Sequence, residues 1–375
     1  MVTHPGNPGD PLISRDLSFY RGKKVFLTGH TGFKGGWLAS WLDRLGAQVH
    51  GFSLAPGTSP NFFDSVGLVD RVENEFGDVR DLNILKASIQ RFEPDMVFHL
   101  AAQPLVRLSY QEPVETFETN VMGTVKVLEA VRSCQSVKAC VMITSDKCYQ
   151  NNEWIYSYRE NDPLGGHDPY SASKGAAEII INSYRSSFFN NRTKRQKGCG
   201  IASARAGNVI GGGDWSNDRI IPDSIRSLNE FKPVIVRNPF AVRPWQHVLE
   251  PLYGYLSLGR SLATDPSGFD SAWNFGPVSS NVNVRSLVDM VIREWGSGTW
   301  HDASTADSSH EAHYLRLDST KSENLLSWRG VLTVKEAVGL TVAWYKEFYA
   351  GRDMAQVTAA QIAKYEEMAS VPNHD

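Results

Sequence analysis

Lys23-Lys24-Val25-Phe26-Leu27-Thr28, running into Gly29-His30-Thr31-Gly32-Phe33-Lys34-Gly35, is the stretch whose reading decides the fold. Its first half is an apolar run of buried-strand type, and Trp37 to Arg44 beyond it carries a helical apolar period. Three glycines therefore stand between a strand and a helix. Glycine permits a sharp turn and a close backbone approach, and a helix N-terminus favours negative charge, so the string suits the pyrophosphate of a dinucleotide. An ordinary tight turn is the plain alternative, and the flanking strand and helix weigh against it.

Outward from this turn the alternation repeats. Gln48 to Ser53 and Val72 to Phe76 read as strands, Leu82 to Phe92 as a helix, and Met96 to Ala102 as a strand. A helix follows from about Pro113 to Ser133, then a strand over Ala139 to Ile143, a helix over Tyr170 to Phe188 and a strand from Gly200 to Arg205. Continuously apolar strands separated by helices call for a parallel sheet covered on both faces. The fold class is α/β: a doubly wound, Rossmann-like parallel sheet with a smaller α/β C-terminal substrate-binding domain. Residues 1–206 are assigned to the dinucleotide-binding domain, with a returning segment at about 240–275, and residues 207–375 mainly to the substrate-binding domain. Residues 1–20, rich in Pro, Gly and Asp, read as a loose arm, and Arg352 to Asp375 as a helix or a tail.

At 375 residues, 41% apolar and 21% charged, the chain has the balance of a globular protein rather than a disordered one. A formal charge of -3 gives no reason to expect nucleic acid or an anionic membrane as partner, so any phosphate site must be built locally. No run of eighteen apolar residues and no secretory leader is seen, and the expected location is the cytoplasm. Cys134, Cys140, Cys148 and Cys199 follow neither a disulfide framework nor a zinc spacing, and no metal site is expected.

The acidic residue that usually holds the adenosine ribose some twenty residues past the glycines is missing, and Ser53 ends the second strand instead. Lys34 inside the turn can attract a 2'-phosphate, so the residues alone leave NAD against NADP open. Asp78-Val79 and Leu100-Ala101-Ala102 lie at strand carboxyl ends and are expected to flank the adenine and ribose; Asp78 reads equally well as a helix N-cap.

Chemistry is written in two further strings. Thr144-Ser145-Asp146-Lys147-Cys148-Tyr149 sets a hydroxyl, a carboxyl and an amine side by side at a strand end, and Tyr170-Ser171-Ala172-Ser173-Lys174 puts a phenol and an ammonium on one helical face. The ammonium is expected to favour the phenolate, so that Tyr170 can accept a hydroxyl proton. Asp146-Lys147 has an ordinary reading as a salt-bridged pair at a loop start, against which its position after the strand-end serine speaks.

Gly29-x-x-Gly32-x-x-Gly35, Ser145 and Tyr170-x-x-x-Lys174 resemble the extended short-chain dehydrogenase/reductase family over most of the chain. Asp146-Lys147, where nucleotide-sugar 4,6-dehydratases most often carry Asp-Glu, resembles the CDP-glucose 4,6-dehydratase branch, as do Arg205 to Trp215 and Arg243-Pro244-Trp245-Gln246-His247-Val248. The resemblance implies NAD as cofactor and CDP-glucose as substrate, converted to CDP-4-keto-6-deoxyglucose and water on a route to deoxysugars of surface polysaccharide such as lipopolysaccharide O-antigen. Tyr170 takes the O4 proton, the new ketone acidifies the C5 proton, Lys147 in its neutral form removes it, and protonated Asp146 gives a proton to the departing O6. An NAD-dependent epimerase, or a dehydratase for another nucleotide sugar, is the alternative.

On this resemblance the cofactor set is Gly29, Thr31, Gly32, Phe33, Lys34, Gly35, Ser53, Asp78, Val79, Leu100, Ala101, Ala102, Gln103, Asn120, Tyr170 and Lys174. Substrate is expected at Gln103, Arg107, Ser145, Asn208, Arg219, Arg237 and Arg243, with Arg243 on the pyrophosphate. His99 and His247 border the pocket or serve structure, and Trp154 and Tyr158 close over the sugar or pack beneath their loop. Nothing in the residues identifies cytosine. A homodimer or homotetramer is expected.

Overall fold

The computed structural model describes residues 16–189, 198–277, 282–304 and 315–370. Seven parallel strands form one sheet: β1 Lys24–Thr28, β2 Gln48–Ser53, β3 Glu73–Phe76, β4 Met96–His99, β5 Ala139–Ile143, β6 Gly200–Ala206 and β7 Ala272–Phe275, in the order β7-β6-β5-β4-β1-β2-β3. Thr28 at the end of β1 lies between Phe52 of β2 and His99 of β4. Chain direction through the sheet reverses its order there, and the crevice outside the carboxyl ends at such a switch point is where ligands bind.

Side-chain alternation explains the double winding. Val25 and Leu27 of β1 join Phe98, Val141 and Ala202 in a core against Trp37, Trp41 and Leu256, whereas Phe26 turns the other way, to Phe52, Val97 and Ile201 under Val127, Leu128 and Ile181. Both faces are therefore buried, as continuous apolar strands demand. The first core continues into the C-terminal helices Val334–Tyr349 and Met354–Ser370 through Trp344, Tyr345, Ile362 and Tyr365. So Met354–Ser370 is a helix, and residues 371–375 lie outside the described residues.

Two boundaries depart from the sequence reading. The helix expected from Pro113 to Ser133 is built as Pro113–Phe117, a wide turn at Glu118–Met122 and Gly123–Arg132. Part of the supposed loose arm is anchored: Asp16 caps the turn Leu17–Tyr20, and the buried Tyr20 donates its hydroxyl to Leu256 O at 2.7 Å. Residues 1–15 lie outside the described residues.

Beyond β6 the chain adds short paired strands, Val234–Val236 with Trp300–Asp302 and Val242–Arg243 with Val282–Asn283, and the helix Ile220–Asn229. Arg219 at the start of this helix and Arg243 in one of these strands reach the carboxyl edge of the sheet.

Candidate active site

A cleft of about 1710 Å³ opens along this edge, and residues following β1 to β6 all line it. The glycine turn forms its floor. Gly29 has φ +79, and a Cβ there would stand 2.6 Å from Ala101 N; a Cβ on Gly35 would stand 2.0 Å from Gly29 O. These two glycines are thus required by close backbone packing, whereas a Cβ on Gly32 would meet only Gly29 O at 3.4 Å, so the floor above it is open. The helix Phe33–Arg44 begins here, and its first N–H groups have no intrahelical acceptors. An open floor at a helix N-terminus fits a pyrophosphate.

Thr31 Oγ1 lies 2.8 Å from Ser53 Oγ and donates to Leu54 O at 2.9 Å, so a hydroxyl pair closes the end of β2 where an acidic residue is more usual. Lys34 does not reach that end. Its Nζ lies 3.5 Å from the Tyr255 hydroxyl, and burial, with Arg219 and Lys174 nearby, lowers its pKa to about 8. It belongs to the catalytic end, which removes it as the anchor of a 2'-phosphate. Asp78 lines the cleft but is held by Arg80 at 2.6 Å, and the N-cap of Leu82–Phe92 is Asp81.

The catalytic strings converge at β5 and the helix Pro169–Tyr184. Asp168 caps that helix by accepting from Ser171 N, and Pro169 occupies its first turn; such a cap is worth about 1 kcal/mol and here fixes where Tyr170 begins. Tyr170 and Lys174 are both buried, with Nζ 6.0 Å from the phenol ring centroid. Ser145 donates to Asp146 Oδ1 at 2.9 Å and accepts from Lys147 N at 3.2 Å, which folds the three residues into one tight turn. Asp146 Oδ2 is buried without a hydrogen-bond partner, and Gly207 opposite leaves room above it, since a Cβ there would lie 3.3 Å away. Lys147 is half-buried and lines the same cleft.

Burial pushes the Tyr170 phenol up to about 12 although its hydrogen bond with Ser145 pulls it down, and burial lowers Lys174 to about 8. This corrects the expectation that the lysine by itself brings the phenol below its ordinary value: desolvation of a wholly enclosed hydroxyl outweighs an ammonium that is itself desolvated. Beneath them lies a pair that the sequence reading missed. Glu178, one turn beyond Lys174, meets Arg205 of β6 at 2.7 Å, both 3% exposed, and also accepts from Thr144 and Ser203. Removing one member of such a buried pair strands the other charge at about 3–5 kcal/mol. The spacing Tyr170, Lys174, Glu178 was its only signal.

The structure brings Asn208, Arg219, Arg243 and Arg107 to the cleft wall. Arg219 pairs with Asp214 at 2.7 Å, and Arg243 donates to Val242 O at 3.1 Å. Arg237 stands behind, paired with Asp218 at 2.9 Å. Gln103 donates its amide to Leu105 O and Thr116 Oγ1, and Asn120 donates to Gln103 O and Ser173 Oγ, so both side chains are spent on holding the loop after β4. His99 contacts Thr28 Oγ1 at 2.7 Å, and burial lowers both His99 and His247 to about 3, which leaves them neutral structural groups. Tyr158 is buried in a stack between Tyr149 and Trp154 at 5.2 and 5.4 Å, so these rings pack beneath their loop.

Residues 26–205 match the GDP-mannose 4,6 dehydratase family model. A CDP-glucose 4,6-dehydratase of Salmonella typhimurium is 49% identical to this chain over 351 residues, covering 93% of it and 98% of the relative. The chain belongs to the CDP-glucose 4,6-dehydratase branch of the extended short-chain dehydrogenase/reductase family. Solved structures share its fold. A UDP-glucose 4-epimerase from Thermotoga maritima superposes with a TM-score of 0.75 at 19% identity, covering 87% of this chain and 99% of that one. A dTDP-glucose 4,6-dehydratase from Bacillus anthracis, in complex with NAD, superposes with a TM-score of 0.72 at 19% identity, covering 89% and 100%.

Proposed function

We propose that this protein is an NAD-dependent CDP-glucose 4,6-dehydratase. The observation that carries the reading is the turn Ser145-Asp146-Lys147, with its unpartnered buried Asp146 Oδ2, at the cleft beside the enclosed Tyr170 and Lys174. An enzyme that only epimerises needs the phenol, the serine and the lysine; the adjacent carboxyl and amine are what an elimination adds.

NAD bound over the open glycine floor would supply hydride removal at C4 of the glucosyl ring and hydride return at C6. The side chains do the rest. Ser145 and Tyr170 hold the O4 hydroxyl, and Tyr170 as phenolate takes its proton. Lys147 removes the C5 proton that the C4 ketone has acidified. Asp146 delivers a proton from Oδ2 to the departing O6, so that water leaves. Lys34, lowered by burial to about 8, still carries its proton for the most part at neutral pH and adds positive charge to the same end. Arg243, Arg219 and Asn208 hold the diphosphate.

The finer assignments belong to the same reading. Residues 1–206 with the return at about 240–275 hold the dinucleotide, and the remainder holds the sugar nucleotide. Two copies pair through the exposed apolar row of Val114, Phe117, Met122 and Ile179 on neighbouring helices, an isologous face suited to a homodimer. The enzyme works in the cytoplasm on a route to surface deoxysugars. Offered CDP-, UDP-, GDP- and dTDP-glucose with NAD, the protein is expected to form a 4-keto-6-deoxy product from CDP-glucose at the highest kcat/KM. A C4 epimer as sole product, or a preference for another nucleotide, would overturn the assignment.

A further inference from the structure

Among the carboxylates that line the cleft, Asp218 stands out as having no task in the elimination while facing the expected path of a diphosphate ligand. Asp218 lines the wall just before Arg219, in a left-handed backbone conformation at φ +60, and is 41% exposed. Arg107 Nη1 at 3.2 Å and Arg237 Nη2 at 2.9 Å both donate to its Oδ1. Its Oδ2 has no hydrogen bond among the described residues. Paired with two guanidinium groups, this carboxylate offers its free oxygen as an acceptor. Next to a diphosphate such a group opposes binding by like-charge repulsion, unless a donor of the ligand meets it.

The order of residues along the wall identifies the part of the ligand that arrives there. Arg219 interacts electrostatically with Tyr170 and lies towards the catalytic end, whereas Asp218 and Arg107 stand at the solvent rim. A nucleotide sugar with its hexose at Tyr170 and its diphosphate at Arg219 and Arg243 carries its nucleoside outward to Asp218. Ile220 and Pro222 of the same wall offer apolar contact for a flat ring. Cytosine presents an N4 amino donor on the edge where uracil and thymine present the O4 acceptor. A carboxylate accepts from the first and repels the second.

We propose that Asp218 Oδ2 accepts the N4 hydrogen bond of cytosine and so selects CDP-sugars against UDP- and dTDP-sugars. The proposal rests on the CDP-glucose reading and names the residue that reads the base. The test is titration calorimetry of CDP and UDP with the full-length protein in saturating NAD, for wild type, Asp218→Asn and Asp218→Ala. The ratio of CDP to UDP affinity is expected to fall about tenfold or more in Asp218→Asn, whose amide can donate to O4. In Asp218→Ala the preference for CDP is also lost, with a smaller gain in UDP affinity than in Asp218→Asn because repulsion is relieved but no donor is added. The corresponding shift in kcat/KM for CDP- against UDP-glucose should lie in KM. Either variant retaining the wild-type ratio overturns the proposal, and so does parallel weakening of both nucleotides, which would show that Asp218 only braces Arg107 and Arg237. Because the readout is a ratio on one preparation, general loss of folded protein does not imitate the expected result. Wild-type protein that binds CDP and UDP alike would instead strike at the substrate assignment, and the role of Asp218 would fall with it.

Discussion

Lys147→Ala is expected to lower turnover of CDP-glucose by about 10²–10⁴-fold, the range that a positioned proton-transfer group contributes, while NAD and CDP bind as before. In the proposed mechanism oxidation at C4 uses Tyr170, Ser145 and Lys174 and none of the Lys147 side chain, so the variant is expected to stall after the first step. The reduced nicotinamide chromophore then builds up on mixing with substrate, where the wild type passes through it. Asp146→Asn tests the other half of the elimination. Its amide keeps the shape of a carboxyl whose Oδ1 accepts from Ser145 at 2.9 Å, but has no acidic proton to give to O6. A comparable loss of dehydration with a persisting reduced chromophore is expected. Stopped-flow absorbance with product analysis makes the check, and wild-type turnover in both variants would remove the pair from the mechanism.

Tyr170→Phe is expected to fail earlier, with a loss of about 10²–10⁴-fold and no reduced chromophore at all, because nothing is left to take the O4 proton. The pH dependence of the wild type follows from the same enclosure. The competent pair is phenolate with ammonium, and burial has set the phenol at about 12 and the ammonium at about 8. Raising the pH creates phenolate throughout this span, but above about 8 it also removes the ammonium at the same rate. The competent fraction therefore climbs with pH to about 8 and then stays level. A kcat/KM profile that falls between pH 6 and 8 contradicts this account of the pair.

The fold could be read from the chain because its signals are local. Val25 to Thr28, Val97 to His99 and Ala139 to Ile143 are apolar runs that only a sheet covered on both faces can bury, and the spacing of the glycines marks the turn. Tyr170 and Lys174 share a helical face by periodicity alone. What could not be read depends on partners distant in sequence. Lys34 faces Tyr255, 221 residues away, rather than the adenosine side, and its neighbours in the string do not reveal that turn of the side chain. Gln103 and Asn120 look like binding groups because both are amides close to a strand end, yet they satisfy each other and the backbone around Leu105. The expected lowering of the Tyr170 pKa overlooked a quantity no spacing encodes, the degree of burial. Arg107 and Arg237 were legible as cations, but the carboxylate that ties them together belongs to a third segment.

The central claim is that an acid and a base beside the oxidising centre expel the C6 hydroxyl, while the hydrogen removed from C4 returns to C6 of the same molecule. CDP-glucose deuterated at C4, incubated with the enzyme and NAD, measures this directly. The account predicts a product lighter by one water with the deuterium recovered at C6. A product that keeps its full oxygen count, or one whose C6 carries only hydrogen, would contradict it.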